Sequence, residues 1–359
     1  MTRTNTQMTA IVCHGPEDYR VEQIERPTAG PRELVIKIGA VGICASDCKC
    51  WQGAKMFWGE NPWVKVPVVP GHEFFGAVDE IGEGAAEHFG VKQGDRVIAE
   101  QIVPCDRCRY CRSGKYWMCE VHNIFGFQRV VADGGMSEFM RLPTTARVHK
   151  IPTEMSLEDA AIIEPLSCAI HTVQRGDIQL DDVVVLAGAG PIGLMMVQVM
   201  KLKTPKKLIV IDMVAERRAL ALQFGADVVI DPASENALAV VHAHTEGYGC
   251  DVYIEATGSP GGVTQGLELI RKLGRFVEFS VFGKETSVDW SIIGDRKELD
   301  IRGAHLGPYC YPIAIDLLSR GLVTSKGIVT HDYTFDQWDE AIKVANSLDS
   351  IKVLVKPAG

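Results

Sequence analysis

From Val183 onward the sequence alternates short apolar runs with apolar-periodic stretches, and no other feature limits the possible folds so strongly. Residues 183–186, 208–211, 228–230, 251–255, 275–279 and 299–302 read as successive buried strands. Segments such as 215–224 and 237–245 lie between them with helical spacing. Strands joined by helical crossovers run parallel, so the expected class is α/β with a doubly wound parallel sheet. Before about residue 160 the pattern is different. Short β segments at 33–41, 75–81, 96–100 and 136–142 are punctuated by Pro27, Gly30, Pro31, Gly82, Gly84, Gly94, Asp95, Gly134 and Gly135, which is hairpin and loop spacing. After Gly303 come two more helical stretches and a last strand, 353–355, read as returning to the first domain. A chain of 359 residues is too long for one ordinary core. The expected domains are therefore 1–163 with 304–359, β-rich, and 164–303, built on the parallel sheet.

The join between the first strand and its helix carries Gly188-x-Gly190-x-x-Gly193, with Pro191 and Ile192 inside it. The glycines permit a tight turn and let backbone amides approach a pyrophosphate at the helix N-terminus, and Pro191 suits the first helical turn. A purely structural glycine turn is the alternative. Asp212 closes the next strand, nineteen residues beyond Gly193. A carboxylate there accepts hydrogen bonds from both adenosine ribose hydroxyls and repels a 2′-phosphate, which favours NAD over NADP. Arg217 and Arg218, close by in sequence, weaken that preference slightly.

Four of the eleven cysteines fall between residues 105 and 119 as Cys105-x2-Cys108-x2-Cys111-x7-Cys119. Short loops with this spacing bring four sulfurs to roughly 2.3 Å from one zinc ion. A closed structural zinc site is favoured over a disulfide cluster, since the other cysteines are scattered, and over a nucleic-acid ribbon, since only one knuckle is present. A second set is dispersed: Cys44 in Gly42-Ile43-Cys44-Ala45-Ser46-Asp47, His72 and Glu73 after Gly71, and Glu164 before Pro165. Taken singly, each reads more readily as a packed core residue than as a ligand. Together, thiolate, imidazole and carboxylate make a catalytic zinc set with one open position.

Composition excludes several classes. The net charge of −9 disfavours a phosphate-backbone partner, so no nucleic-acid binding is expected. Residues 1–10 are polar and show no signal-peptide pattern. The uncharged stretch 183–200 contains Gly188, Gly190, Pro191 and Gly193, which suits a buried strand-turn-helix rather than a membrane span. A cytoplasmic protein is expected.

These motifs, in this order and spacing and over nearly the whole chain, resemble the zinc-dependent medium-chain dehydrogenase/reductases. The resemblance implies a GroES-like β-rich catalytic domain beside a Rossmann domain, hydride transfer between alcohol and carbonyl, NAD, two zinc ions per chain, and a homo-oligomer, dimer or tetramer. It places Cys44 and His72 on the catalytic zinc, Glu73 beside them as ligand or neighbour of a ligand, and Ser46 at the substrate oxygen. Glu164, where simple alcohol dehydrogenases carry a third cysteine, is similar to the glutamate of sorbitol-type polyol dehydrogenases. The implied reaction is reversible oxidation of a secondary hydroxyl of a short polyol, four carbons favoured. Sorbitol, L-threonine or simple-alcohol oxidation are the alternatives, and a cofactor-binding homologue without turnover is a remoter one. The chain departs from the pattern at Lys49, where relatives carry a relay histidine, and at residues 304–309, where an Arg-Tyr pair is usual. Cys48 and Cys50 are unusual extras, read chiefly as packing. Trp51, Phe57 and Trp58 read either as a wall of the substrate cleft or as a local hydrophobic cluster.

Overall fold

Val183–Ala187 is Val-Val-Val-Leu-Ala and is buried along its whole length, as a strand covered on both faces must be. It lies inside a six-stranded sheet whose spatial order is Val228–Ile230, Lys207–Ile211, Val183–Ala187, Cys250–Glu255, Ile270–Glu278 and Asp300–Gly303. Every neighbouring pair is parallel. In sequence order this is 3-2-1-4-5-6, the doubly wound arrangement whose strand order reverses beside the first strand. Helices Pro191–Leu202, Ala215–Gln223, Ala237–His244 and Pro260–Leu269 make the crossovers. Their apolar sides and the strands close a core that includes Ile209, Val241, Tyr253, Leu267 and Phe276.

In this computed structural model, which describes residues 6–358, the sheet belongs to one of two compact units, Pro165–Cys310. The other unit combines the described residues up to Glu164 with those from Tyr311 onward. Its main sheet runs in the order Val329–Thr334, Lys352–Lys356, Leu34–Gly42, Glu73–Ile81, Arg96–Ala99 and Val148–Lys150, with Phe139–Leu142 also pairing with Leu34–Gly42. Lys352–Lys356 is parallel to Val329–Thr334 but antiparallel to Leu34–Gly42, with Leu354 opposite Gly42. The last strand of the chain is thus laid against the segment that leads into Cys44. On the other side Gly42 faces Glu73. Helix Trp338–Ala345 covers this region, and its buried Trp338 stacks on Tyr19 with ring centroids 5.5 Å apart.

Some elements carried too little pattern to be seen in sequence. The hairpin Gln7–Gly15 with Asp18–Glu25 has a second strand that alternates charge with modest apolar residues. Val329–Thr334 is mostly polar. The strand read at 275–279 begins at Ile270 and contains Leu273 at φ +59°, an irregularity that broke the apparent period. Among the described residues no helix is long and apolar enough to cross a membrane. Met1–Asn5, part of the segment read for a signal pattern, lie outside the described residues.

Candidate active site

Cys44 ends the turn after Leu34–Gly42 and sits at the N-cap of helix Ala45–Trp51. Its backbone amide donates to Asp47 Oδ2 at 2.9 Å, a reciprocal cap that sets the direction of the thiol. His72 immediately precedes strand Glu73–Ile81, and the ligand atoms of Cys44, His72 and Glu73 all lie within 4.8 Å of one another. Glycine at 42 is required by this approach, because a Cβ there would stand 2.2 Å from Glu73 Oε2. Ser46 Oγ is 3.4 Å from His72 Nε2. Asp47 Oδ1 is 3.5 Å from His72 Nδ1, and both atoms are buried without a hydrogen bond. Burial by itself would lower the His72 pKa, but Asp47 and Cys44 outweigh it and raise it well above the ordinary range. Negative donors converging on a buried imidazole, with orphaned polar atoms between them, form a set that a zinc cation suits.

The two carboxylates stand differently. Both Glu73 oxygens accept from the Lys352 ammonium, Oε1 at 2.8 Å and Oε2 at 2.5 Å, and the same ammonium donates to the Ile43 carbonyl at 3.1 Å. Glu164, in the first turn of helix Ile163–Gly176, is buried and accepts from Gln101 Nε2 at 2.6 Å. It is not in the group of donors within 4.8 Å, yet it helps hold Lys352 charged. Sequence reasoning did not single out Asp47, Gln101 or Lys352. Lys352 did leave a trace, as a cation opening an apolar strand.

The aromatic residues divide. Phe57 is buried and stacks on Phe127 at 5.5 Å, and Phe127 in turn meets the His72 ring at 5.6 Å. Trp58 donates its indole N–H to the Cys50 carbonyl, and Trp51 is half-buried. Phe57 therefore packs behind Phe127, which touches the histidine. Cys48 and Cys50 are buried, which pushes each thiol up to about 12, a range in which thiols are inert.

The sulfurs of Cys105, Cys108, Cys111 and Cys119 lie within 4.8 Å of one another around the short helix Arg109–Arg112 and the turn Tyr116–Met118. No pair is bonded: Cys108 and Cys111 Sγ are 3.5 Å apart, far beyond a disulfide length. The amides of Cys105, Cys108 and Cys111 point at the sulfurs of Cys119, Cys105 and Cys108. The Cys111 amide lowers Cys108 to about 6, whereas burial pushes Cys111 up to about 12. Four sulfurs this close cannot all ionise beside one another unless a cation sits among them. The donor set fits zinc.

In the other unit Gly190 caps helix Pro191–Leu202 with Pro191 at its first position. Gly188 has φ +100°, and a Cβ on Gly193 would fall 2.0 Å from the Gly188 carbonyl, so both must be glycine for the turn to close. Asp212 reaches back to this turn, accepting from Ala189 N at 2.7 Å and Val214 N at 2.8 Å. Arg218 is committed to Asp212 O and Asp231, and Arg217 is half-buried beside it on helix Ala215–Gln223. Two further carboxyls that sequence reasoning missed end adjacent strands in register, Glu255 opposite Glu278. Glu255 is fully buried and accepts from the Thr257 and Gly258 amides.

Residues 30–153 match the alcohol dehydrogenase GroES-like domain and residues 191–320 the zinc-binding dehydrogenase family. The chain belongs to the zinc-dependent medium-chain dehydrogenase/reductases and is a nicotinamide-dependent oxidoreductase. It is 47% identical to erythritol/L-threitol dehydrogenase of Mycolicibacterium smegmatis over 98% of both chains, and 32% identical to human sorbitol dehydrogenase over 97% of this chain and 95% of that one. An alcohol dehydrogenase of E. coli CFT073 solved with NADH superposes with a TM-score of 0.86 at 32% identity, covering 98% of this chain and all of the other.

Burial, and then the neighbouring Glu255, push Glu278 from an ordinary 4.5 to about 7. Between those values the folded chain binds more protons than the unfolded one, so stability falls as pH rises through that window. Glu278→Gln should therefore unfold at higher urea than the parent at pH 8, with the advantage shrinking toward pH 4.5. Equal midpoints for the two proteins at both pH values would contradict the assignment.

Proposed function

We propose that this enzyme oxidises a secondary hydroxyl of a short polyol, reversibly, with NAD, and that a four-carbon polyol is its substrate. One observation supports the polyol class most directly. The thiolate-imidazole set at Cys44 and His72 is accompanied by buried carboxylates, Glu73 and Glu164, and by the Ser46 hydroxyl. Such a hydrophilic, oxygen-rich surround suits a substrate with several hydroxyls and rejects analogues that leave those groups unpaired. The likeness to the M. smegmatis enzyme supports the four-carbon length.

Cys44 and His72 would hold the catalytic zinc, with Glu73 or Glu164 completing the set, and Cys105, Cys108, Cys111 and Cys119 would hold the structural one. Zinc supplies Lewis-acid polarisation of an alcohol or carbonyl oxygen, and NAD accepts the hydride. Ser46, whose Oγ is 3.4 Å from His72 Nε2, would take the hydroxyl proton and release its own outward. Lys352 balances the Glu73 charge, so the donor set does not accumulate uncompensated anions. Gly188, Gly190, Pro191, Ile192 and Gly193 would cradle the pyrophosphate, and Asp212 would take the adenosine ribose, with Arg217 at its border.

The compartment and assembly belong to the same proposal. Eleven cysteines are free among the described residues, as in a reducing cytoplasm. Asp300–Gly303 is the outer strand of its sheet and Ile301 on it is 42% exposed. A second copy can extend such an edge, which supports a homodimer or a tetramer built from it.

The two metal sites should separate by mutation. Elemental analysis should find two zinc ions per wild-type chain and one in each of Cys108→Ser and Cys44→Ser. The first substitution should lower the melting temperature, and the second should abolish turnover in a folded protein. One zinc or none in fresh wild-type protein counts against the pair of sites.

Asp212→Ser should relax cofactor choice. The carboxylate repels a 2′-phosphate by a few kcal/mol, about a hundredfold in preference. A wild-type enzyme with the higher kcat/KM for NADP would refute the NAD assignment.

Substrate class is decided by NADH formation across tetritols, pentitols, hexitols, L-threonine and ethanol. The expected order of kcat/KM is tetritol above hexitol above ethanol. Faster turnover of ethanol or L-threonine than of every polyol would overturn the substrate reading while leaving the zinc-dependent dehydrogenase intact.

A further inference from the structure

We propose that Gln101 is a positioning residue for Glu164, and that Tyr311 fixes which end of its amide faces that carboxylate. The inference rests on the reading above that Glu164 belongs to the catalytic set.

Gln101 follows strand Arg96–Ala99 and is 2% exposed, Tyr311 is 0% and Glu164 is 4%. Three hydrogen bonds join them. The Gln101 backbone N–H donates to Tyr311 Oη at 3.2 Å, Tyr311 O–H donates to Gln101 Oε1 at 2.8 Å, and Gln101 Nε2 donates to Glu164 Oε1 at 2.6 Å. The direction of this chain follows from donor inventory. An ionised carboxylate only accepts, so Gln101 must offer it an N–H, and its carbonyl must face a donor, which the tyrosine hydroxyl supplies. With the amide turned over, two acceptors would meet at 2.6 Å in a buried site, and such a contact is costly. The Glu164 carboxyl is therefore held in a set direction by the Gln101 amide, whose own orientation Tyr311 fixes.

The anchoring continues on the far side. Glu100 accepts from Tyr116 O–H at 2.7 Å and lies 3.0 Å from His149 Nε2. The His149 ring stacks on Tyr311 with centroids 5.4 Å apart and planes 18° apart. Tyr116 lies between Cys111 and Cys119 in the cysteine lobe. The peptide 100–101 is thus tied to that lobe through one side chain and to Glu164 through the next. Without a rigid support of this kind a carboxylate at the start of a helix would sample several rotamers.

The test uses the zinc-loaded full-length enzyme and its cobalt-substituted form. The variants are Gln101→Met, Tyr311→Phe, Glu164→Gln and the double variant Gln101→Met with Glu164→Gln. The readouts are kcat/KM with the best polyol, the visible absorption of the cobalt enzyme, and the rate at which a chelator removes zinc. Gln101→Met keeps the volume and removes the donor, so kcat/KM should fall about ten- to a hundredfold, the scale of a small misplacement of a catalytic group. Its cobalt spectrum and zinc release should shift in the same sense as those of Glu164→Gln. Tyr311→Phe, which removes one hydroxyl, should lose less in the same direction and covers the case in which Gln101→Met does not fold. The double variant should match Glu164→Gln within about twofold, because residues acting through one another are non-additive. Losses that multiply, or Gln101→Met and Tyr311→Phe enzymes with unchanged kcat/KM and spectra beside an impaired Glu164→Gln, overturn the inference. A Glu164→Gln enzyme indistinguishable from wild type would instead refute the placing of Glu164 in the catalytic set, and the inference with it.

Discussion

The buried ion pair between Lys352 and Glu73 holds together chain segments that are far apart in sequence. The ammonium donates to both Glu73 oxygens and to the carbonyl of Ile43, the residue before Cys44. Both partners are almost completely buried, so each charge depends on the other for solvation, and stranding either one costs about 3–5 kcal/mol. Only the last strand of the chain can deliver that ammonium, because Lys352–Lys356 pairs with Leu34–Gly42. The C-terminal segment thereby supplies a contact to both segments that carry the site, Ile43 before Cys44 and Glu73 after His72.

Charge is handled in the same way throughout the molecule. Three buried carboxyls each have a counterpart: Lys352 for Glu73, an amide N–H for Glu164, the Thr257 and Gly258 amides for Glu255. The cysteine lobe follows the rule with backbone amides aimed at sulfur. Where the counterpart falls short, as at Asp47 Oδ1 and His72 Nδ1, the shortfall lies at the site where a metal cation would complete the set. Glu278 is the departure outside the metal sites, an acid beside an acid at the end of a parallel strand, and its raised pKa is the consequence.

In the nucleotide-binding unit, precision comes from backbone rather than from charge pairs. The carbonyl of Gly188 occupies the space a Cβ on Gly193 would need, and Asp212 pins the same turn through Ala189 N. A carboxylate anchored to the glycine loop in this way is already oriented and has little rotamer entropy left to lose.

Periodicity and punctuation in the sequence were enough to establish the doubly wound sheet, because parallel strands buried on both faces are continuous apolar runs separated by helices. Four thiols within fifteen residues determined the cysteine lobe for a similar reason: its geometry is local. The return of the last strand was also legible, from one apolar run after two helical stretches. Tertiary structure alone decided the rest. It brought Cys44, His72 and Glu73 within reach of one another while leaving Glu164 outside that group. It turned Phe57 inward behind Phe127 and brought Lys352, Gln101 and Tyr311 to the two carboxylates. The contacts of Lys352, Gln101 and Tyr311 could not be read in advance, since a buried glutamine or lysine looks like any other polar residue until its partner, tens to hundreds of residues away in the chain, has been folded against it.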